Sequence, residues 1–327
     1  MTVEFLDGVR SQPANLAASR EVVRAALSAL DVSVLRHGTS VLLGIGASGH
    51  AATGFATRLR TRGAHAYALS SGDTPPTSAD CYIALSYSGR SRETVELLAS
   101  LDATRIAVTG HPNAPIAAVT DHLIPLGGAT DTAVSTLSYT ATVQALGLLA
   151  EHAWDEPSPF WTDLPDHAAT LLADTTLGDR IAAAFADVTC IDVIGAGARA
   201  GSAGAAALLL REAAHLPAAA YPLREYLHGP LEVAAPGRGA LIFGDGRASR
   251  LAEEMAGWGA PTVLVTSSPD RTDAPVVVRL PDLPGPALDV LDILPVQLAA
   301  AELAARRGLP IALRHMPADT KLRDGAT

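Results

Sequence analysis

The sequence predicts an α/β protein of two tandem domains, each a mostly parallel sheet flanked by helices. Three observations lead there. Short apolar runs of strand length alternate with longer segments of helical spacing, the pattern of parallel strands joined by crossover helices. The alternation runs once, stops at a linker over residues 156–162 marked by Pro157 and Pro159, and starts again. Turn motifs then recur at a nearly constant offset: Gly44-Ile45-Gly46 with Gly195-Ala196-Gly197, Gly89-Arg90 with Gly246-Arg247, and Val108-Thr109 with Val265-Thr266. The domains are therefore placed at residues 1–160 and 161–327.

In the first unit, Val22, Val23, Ala26, Leu27, Leu30 and Val34 give residues 15–35 a helical apolar stripe. Strands are expected over residues 39–45, 65–69, 81–85, 105–108 and 122–125. Helices are expected over residues 48–62 and 92–101. Residues 131–154 read as one long helix, apolar over more of its surface than one sheet face needs, which points to a homodimer. In the second unit the pattern predicts a helix over residues 166–185, a strand over 189–194 and a helix over 200–215.

Composition narrows the function. At 48% hydrophobic and 18% charged residues, the chain can bury a core and is not of the disordered class. Its net charge of −10 argues against nucleic acid, which needs a basic surface. One small anion is still allowed, because local amides and hydroxyls suffice to hold a phosphate. Residues 1–12 lack the apolar core of a secretion signal, and no apolar run is long enough to span a bilayer. A cytoplasmic, membrane-free protein is expected. Cys81 and Cys190 begin apolar strands and read as reduced core thiols. The ten histidines lack metal-ligand spacing, so no metal is expected, and His50, His65 and His111 read as surface or turn residues.

Two glycine motifs need separate readings. Gly44-Ile45-Gly46-Ala47-Ser48-Gly49 has the dinucleotide spacing, but the second strand ends Ala68-Leu69-Ser70-Ser71 without the acidic residue that would hold a ribose. No nicotinamide or other cofactor is expected. Ser86-Tyr87-Ser88-Gly89-Arg90-Ser91 leaves a buried strand and enters a helix, so several hydroxyls and amides converge at a helix N-terminus. One helix cap explains one serine, not three. The matching loop in the second unit, Gly244-Asp245-Gly246-Arg247-Ala248-Ser249, lacks the hydroxyl pair and carries Asp245. Phosphate binding is therefore assigned to the first unit.

The glycine-turn serine, the Ser-x-Ser-Gly-x-Ser loop and the duplication together resemble the tandem SIS (sugar isomerase) family. That family includes the isomerase half of glucosamine-6-phosphate synthase and the amino-sugar-phosphate deaminase/isomerases. Leu210-Arg211-Glu212, then Ala220-Tyr221-Pro222, then Glu225-Tyr226-Leu227-His228-Gly229-Pro230 are similar to a block of the family. The resemblance implies that Ser48, Ser86, Ser88 and Ser91 hold a sugar phosphate and that Ser135 contacts the sugar. It implies that Glu212 is the base between C1 and C2, and that His228 opens the ring from a neighbouring subunit. Lys321 would approach C1 or C2. A carboxylate in a dry pocket suits proton removal beside a carbonyl.

The sequence departs from the family at Ala47, Tyr87, Leu137 and Leu209, and Lys321 is displaced by about two residues. It lacks the N-terminal nucleophilic cysteine of a glutaminase, so glutamine hydrolysis is not expected. Two readings stay open. One is a phosphosugar isomerase or isomerising deaminase acting on a hexose or amino-hexose 6-phosphate. The other is a protein that binds such a sugar without converting it.

Overall fold

The computed structural model describes residues 3–75 and 78–323; residues 1–2, 76–77 and 324–327 of the expected domains lie outside the described residues. The first half runs α1 (Phe5–Arg10), α2 (Gln12–Leu27), α3 (Val34–His37), β1 (Thr39–Gly44), α4 (Ala47–Thr61), β2 (His65–Ser70), β3 (Cys81–Leu85), α5 (Arg92–Ala99), β4 (Thr104–Thr109), β5 (His122–Pro125) and α6 (Leu137–Trp154). The second half runs α7 (Phe160–Leu172), α8 (Leu177–Ala184), β6 (Cys190–Gly195), α9 (Ala200–Ala213), β7 (Ala218–Pro222), α10 (Leu223–Tyr226), β8 (Arg238–Phe243), α11 (Arg247–Gly257), β9 (Thr262–Thr266), β10 (Val276–Arg279), α12 (Gly285–Leu291) and α13 (Ile293–Arg306).

Each half contains a five-stranded sheet, and the strand orders are β2-β1-β3-β4-β5 and β7-β6-β8-β9-β10. Every pairing is parallel. The second order is the first shifted by one set of strands, so both halves share one topology. β3 is buried along its whole length and β1 and β6 nearly so, as expected of strands covered on both faces.

Several expectations are corrected. The long helix starts at Leu137, six residues later than its apolar pattern implied, because Asp131 draws the preceding chain around its own carboxylate. Asp131 accepts backbone N–H bonds from Thr132 at 2.8 Å, Leu137 at 3.0 Å and Ser138 at 3.0 Å. The expected helix over residues 166–185 is two, broken where Asp174 accepts from the Thr176 amide and hydroxyl. Within α6, every residue from Leu137 to Ala150 is buried inside the single chain, against α2, α4 and α12. A helix apolar all round belongs in a core, so its composition gives no ground for a partner subunit. His50 is half-buried where α4 meets α9, not a surface or turn residue, and burial lowers its pKa. His65 and His111 are exposed.

The packing of α4 on α9 sets the position of everything functional. A methyl group on Gly201 would lie 2.6 Å from the His50 carbonyl and 2.8 Å from the Gly54 Cα, so two glycines let these helices touch backbone to backbone. At the other end of the contact, Leu208 lies beside Gly46. The helices are thus antiparallel, and the last turn of α9 arrives at the N-terminal end of α4.

Candidate functional site

At that end, Ile45, Ala47, Ser48, Ser86, Tyr87, Ser88, Ser91, Asp131, Ser135 and Ser138 line one cavity of about 240 Å³ with Lys321. All the serines expected to hold substrate therefore face one space. They arrive from three turns at the carboxyl edge of the first sheet, where open α/β sheets bind ligands. Ser48 is in the first turn of α4, Ser86 and Ser88 follow β3, Ser91 precedes α5, and Ser135 precedes α6.

Three helices, α4, α5 and α6, begin at this cavity; α4 and α5 have no side-chain cap, whereas the first amides of α6 are taken by the Asp131 carboxylate. The first amides of α4 and α5 lack intrahelical partners, and each of these two helix ends favours an anion by about 0.3–2 kcal/mol. Ser91 occupies the cap position of α5 without making a capping bond, which leaves its hydroxyl for a ligand. Ser86 Oγ donates to Ser91 Oγ at 3.3 Å, the Arg90 amide donates to Ser88 Oγ at 3.3 Å, and Ser135 Oγ and Ser138 Oγ are 2.6 Å apart. Gly89 holds the loop tight at φ +62°; a Cβ there would sit 2.6 Å from the Cβ of Ala114.

Sequence reasoning missed Asp131. A carboxylate in an anion-binding cavity looks contradictory, but its oxygens are already taken by backbone amides and by the Thr136 hydroxyl at 2.6 Å. It shapes the mouth of α6 and is spent as a charge. The signal was present as an Asp followed by Thr132, Ser135 and Thr136, a composition of helix starts rather than helix interiors. Tyr87 also lines the cavity; its hydroxyl donates to the Ala129 carbonyl, and its ring stands edge-on to His111 at 5.6 Å. Burial, with Asp131 nearby, pushes its phenol up to about 12.

Glu212 occupies the other end of the same space. Between the serine cavity and a wider opening formed by α9 and residues 312–316 lies a constriction of about 10 Å³, the neck, which shares Ala47, Ser135 and Tyr139 with the first and Glu212 with the second and is also lined by Leu208 and Leu209. Burial raises the pKa of the Glu212 carboxyl, and the Arg211 guanidinium opposes part of that rise. The neck has the serine cavity on one side and, on the other, a carboxyl whose pKa burial raises above the ordinary glutamate value.

His228 is not brought to the cavity. It is exposed on the turn after α10, and that turn is anchored by Tyr226, whose hydroxyl donates to the buried Asp192 at 3.0 Å. Lys321 is brought to it, but beside the serine loop: its Nζ donates to Ser88 Oγ at 3.0 Å.

The corresponding loop of the second half is closed by its own acid. Asp245 accepts from the Ser267 and Ser268 amides at 3.0 and 2.9 Å and from the Ser267 hydroxyl at 3.1 Å. Hydrogen bonding and the nearby Arg199 hold its pKa below the usual aspartate value despite burial. An internal carboxylate takes up donors that in the first half face the cavity.

Comparison with known proteins bears on the family and the fold. The family model of the SIS domain matches residues 36–152. A glutamine–fructose-6-phosphate aminotransferase (isomerizing) of Sulfurisphaera tokodaii is 25% identical over 284 residues, covering 82% of this chain and 47% of the relative. The chain thus spans about half the length of that curated relative. Among solved structures, tagatose-6-phosphate ketose/aldose isomerase from Escherichia coli matches with a TM-score of 0.81 at 19% identity, over 96% of this chain and 97% of that one. The C-terminal domain of glucosamine-fructose-6-phosphate aminotransferase from Francisella tularensis gives 0.78 at 17%, over 95% and 98%. Glucosamine-6-phosphate deaminase from Thermotoga maritima gives 0.77 at 17%, over 96% and 98%. At these identities the structural matches show a shared fold. No helix among the described residues is long and apolar enough to cross a membrane.

Proposed function

The chain carries an SIS domain over residues 36–152, and from that premise we propose that it moves a proton between C1 and C2 of a hexose or amino-hexose 6-phosphate, as a phosphosugar isomerase or isomerising deaminase. The second half, with the same strand order, is then a diverged second SIS domain, with the boundary near residue 160. The observation that carries the reading is the shared lining, Ala47, Ser135 and Tyr139, that sets the serine cradle beside the neck where the burial-shifted Glu212 lies.

The phosphate would lie among Ser48, Ser86, Ser88 and Ser91, at the open ends of α4 and α5. The sugar would run past Ser135 and Ser138 through the neck. Glu212 would take the proton from the carbon beside the carbonyl and return it to the neighbouring carbon. A general base of this kind contributes about 10²- to 10⁴-fold in rate. The half-buried position suits it, because a carboxyl with a raised pKa holds the proton long enough to pass it on. His228 lies on the outer surface of its own chain, so the ring-opening role requires a second copy, and a homodimer is part of the proposal. The absence of His228 from the cavity within one chain is also what favours the alternative, binding without turnover.

The relatives named above act, by name, on tagatose 6-phosphate and glucosamine 6-phosphate, so both belong in the test. The protein is incubated in D₂O with hexose and amino-hexose 6-phosphates and followed by proton NMR. Deuterium entering at C1 or C2 is expected, and ammonium appearing alongside selects the deaminase. Glu212→Gln should abolish exchange and keep ligand line-broadening. Broadening without exchange in the wild type would establish the binding protein instead.

A further inference from the structure

Lys321 is the only lysine of the chain and, among the described residues, the only cationic side chain lining the serine cavity. It is not on a loose end. Lys321 forms an antiparallel bridge with Ser91, the Leu322 amide donates to the Arg90 carbonyl at 2.8 Å, and Arg92 Nε donates to the Asp319 carbonyl at 2.9 Å. Residues 319–322 are therefore stitched as a strap along the outer edge of the serine loop.

Where the strap delivers the ammonium decides its chemistry. Lys321 Nζ reaches Ser88 Oγ at 3.0 Å, and Ser88 Oγ also accepts the Arg90 amide at 3.3 Å. A hydroxyl oxygen has two lone pairs. With both engaged, the Ser88 proton is left to donate to a ligand in the cavity. Glu212, at the far end of the neck, marks where the reacting carbons would be, and Lys321 lines neither the neck nor the opening beyond it.

We infer that Lys321 is the counter-ion of the substrate's phosphate, holding it directly and through Ser88, and not a nucleophile toward the sugar carbonyl. The inference rests on the reading of the cavity as a phosphosugar site and specifies how that site neutralises its ligand. It replaces the role near C1 or C2 expected from the family, because the shifted tail register places the ammonium at the opposite end of the substrate. The desolvation that lowers the Lys321 pKa is offset by the negative charge of a dianion beside it.

A single lysine allows a direct test. Reductive methylation with ¹³C-formaldehyde labels Lys321 and the terminal amine alone, and the intact protein is titrated first with inorganic phosphate, then with a hexose 6-phosphate. The Lys321 signal should move saturably with inorganic phosphate. By calorimetry, Lys321→Met should weaken phosphate binding about 10- to 100-fold, the range expected for one charge-assisted hydrogen bond, whereas Lys321→Arg should stay within a few-fold of wild type. Cyanoborohydride with sugar phosphate should add no sugar mass to Lys321. An unmoved signal at saturation, wild-type affinity in Lys321→Met, or a trapped adduct would each overturn the lysine's role while leaving the cradle intact. Failure of the wild type to bind either phosphate or any hexose 6-phosphate would overturn the cradle and the lysine together.

Discussion

Glu212 and Asp131 show how differently two carboxylates in one cavity system can be used. Asp131 is surrounded by donors and has no capacity left for chemistry. Glu212 is half-buried with only Arg211 to support its charge, so its protonated form gains. The sign of the pH dependence follows. Below its pKa Glu212 carries the proton and cannot accept one, so kcat/KM should fall as pH drops through a value above the ordinary glutamate pKa of about 4.3. Arg211→Ala removes the cation that stabilises the carboxylate and should move this acidic limb to still higher pH. A limb that stays in place in Arg211→Ala would remove Glu212 as the titrating base. The same logic applies to Cys81, whose thiol burial pushes up to about 12; native protein should resist alkylation there until it unfolds.

Among the elements, the contact between α4 and α9 matters most, because one helix opens at the serine cradle and the other ends at Glu212. Their spacing is set by Gly54 and Gly201. Gly201→Ala puts a methyl group against the His50 carbonyl and must push α9 outward. Glu212 should then miss its position by a fraction of an ångström or more, while the cradle, built on turns of the first sheet and the strap that carries Lys321, is undisturbed. Misplacement near 1 Å costs about 10² in rate. The expected result is turnover reduced toward that extent with phosphate affinity unchanged, measured by steady-state kinetics beside calorimetry. Equal loss of both would show that the helix contact also holds the cradle.

Across the whole molecule, the two halves share a topology and differ in use. The first half opens its helix ends to a ligand; the second fills the equivalent place with Asp245 and secures it from behind with Arg199. Arg199 is buried and paired with Asp292, its Nε donating at 2.9 Å, and it also donates to the Val265 carbonyl at 3.1 Å. Calorimetry should therefore find one phosphate site per chain, and two would mean that the second loop binds as well. Removing one partner of a buried ion pair leaves the other uncompensated, so Arg199→Met should lower stability by about 3–5 kcal/mol in urea unfolding. The pair also joins α9 to α13, so the loss should be global rather than confined to the loop.

Local patterns in the chain were enough to reveal the alternation of strands and helices, the recurrence of that alternation in the second half, and the serine loop with Ser86, Ser88 and Ser91 together with Ser48 of the first glycine turn. Periodicity and turn chemistry depend on neighbours a few residues apart, and those are written directly in the order of residues. The folded chain decided the rest. The start of α6 depended on competition between Asp131 and the helix for the same amides, and the burial of that helix on all sides depended on α12 from the other half. The meeting of Glu212 with the cradle came from two glycines in helices distant in sequence, and the reach of Lys321 to Ser88 from a strap pairing across the length of the chain. Such contacts join residues far apart in sequence, and no local pattern encodes their distance or direction.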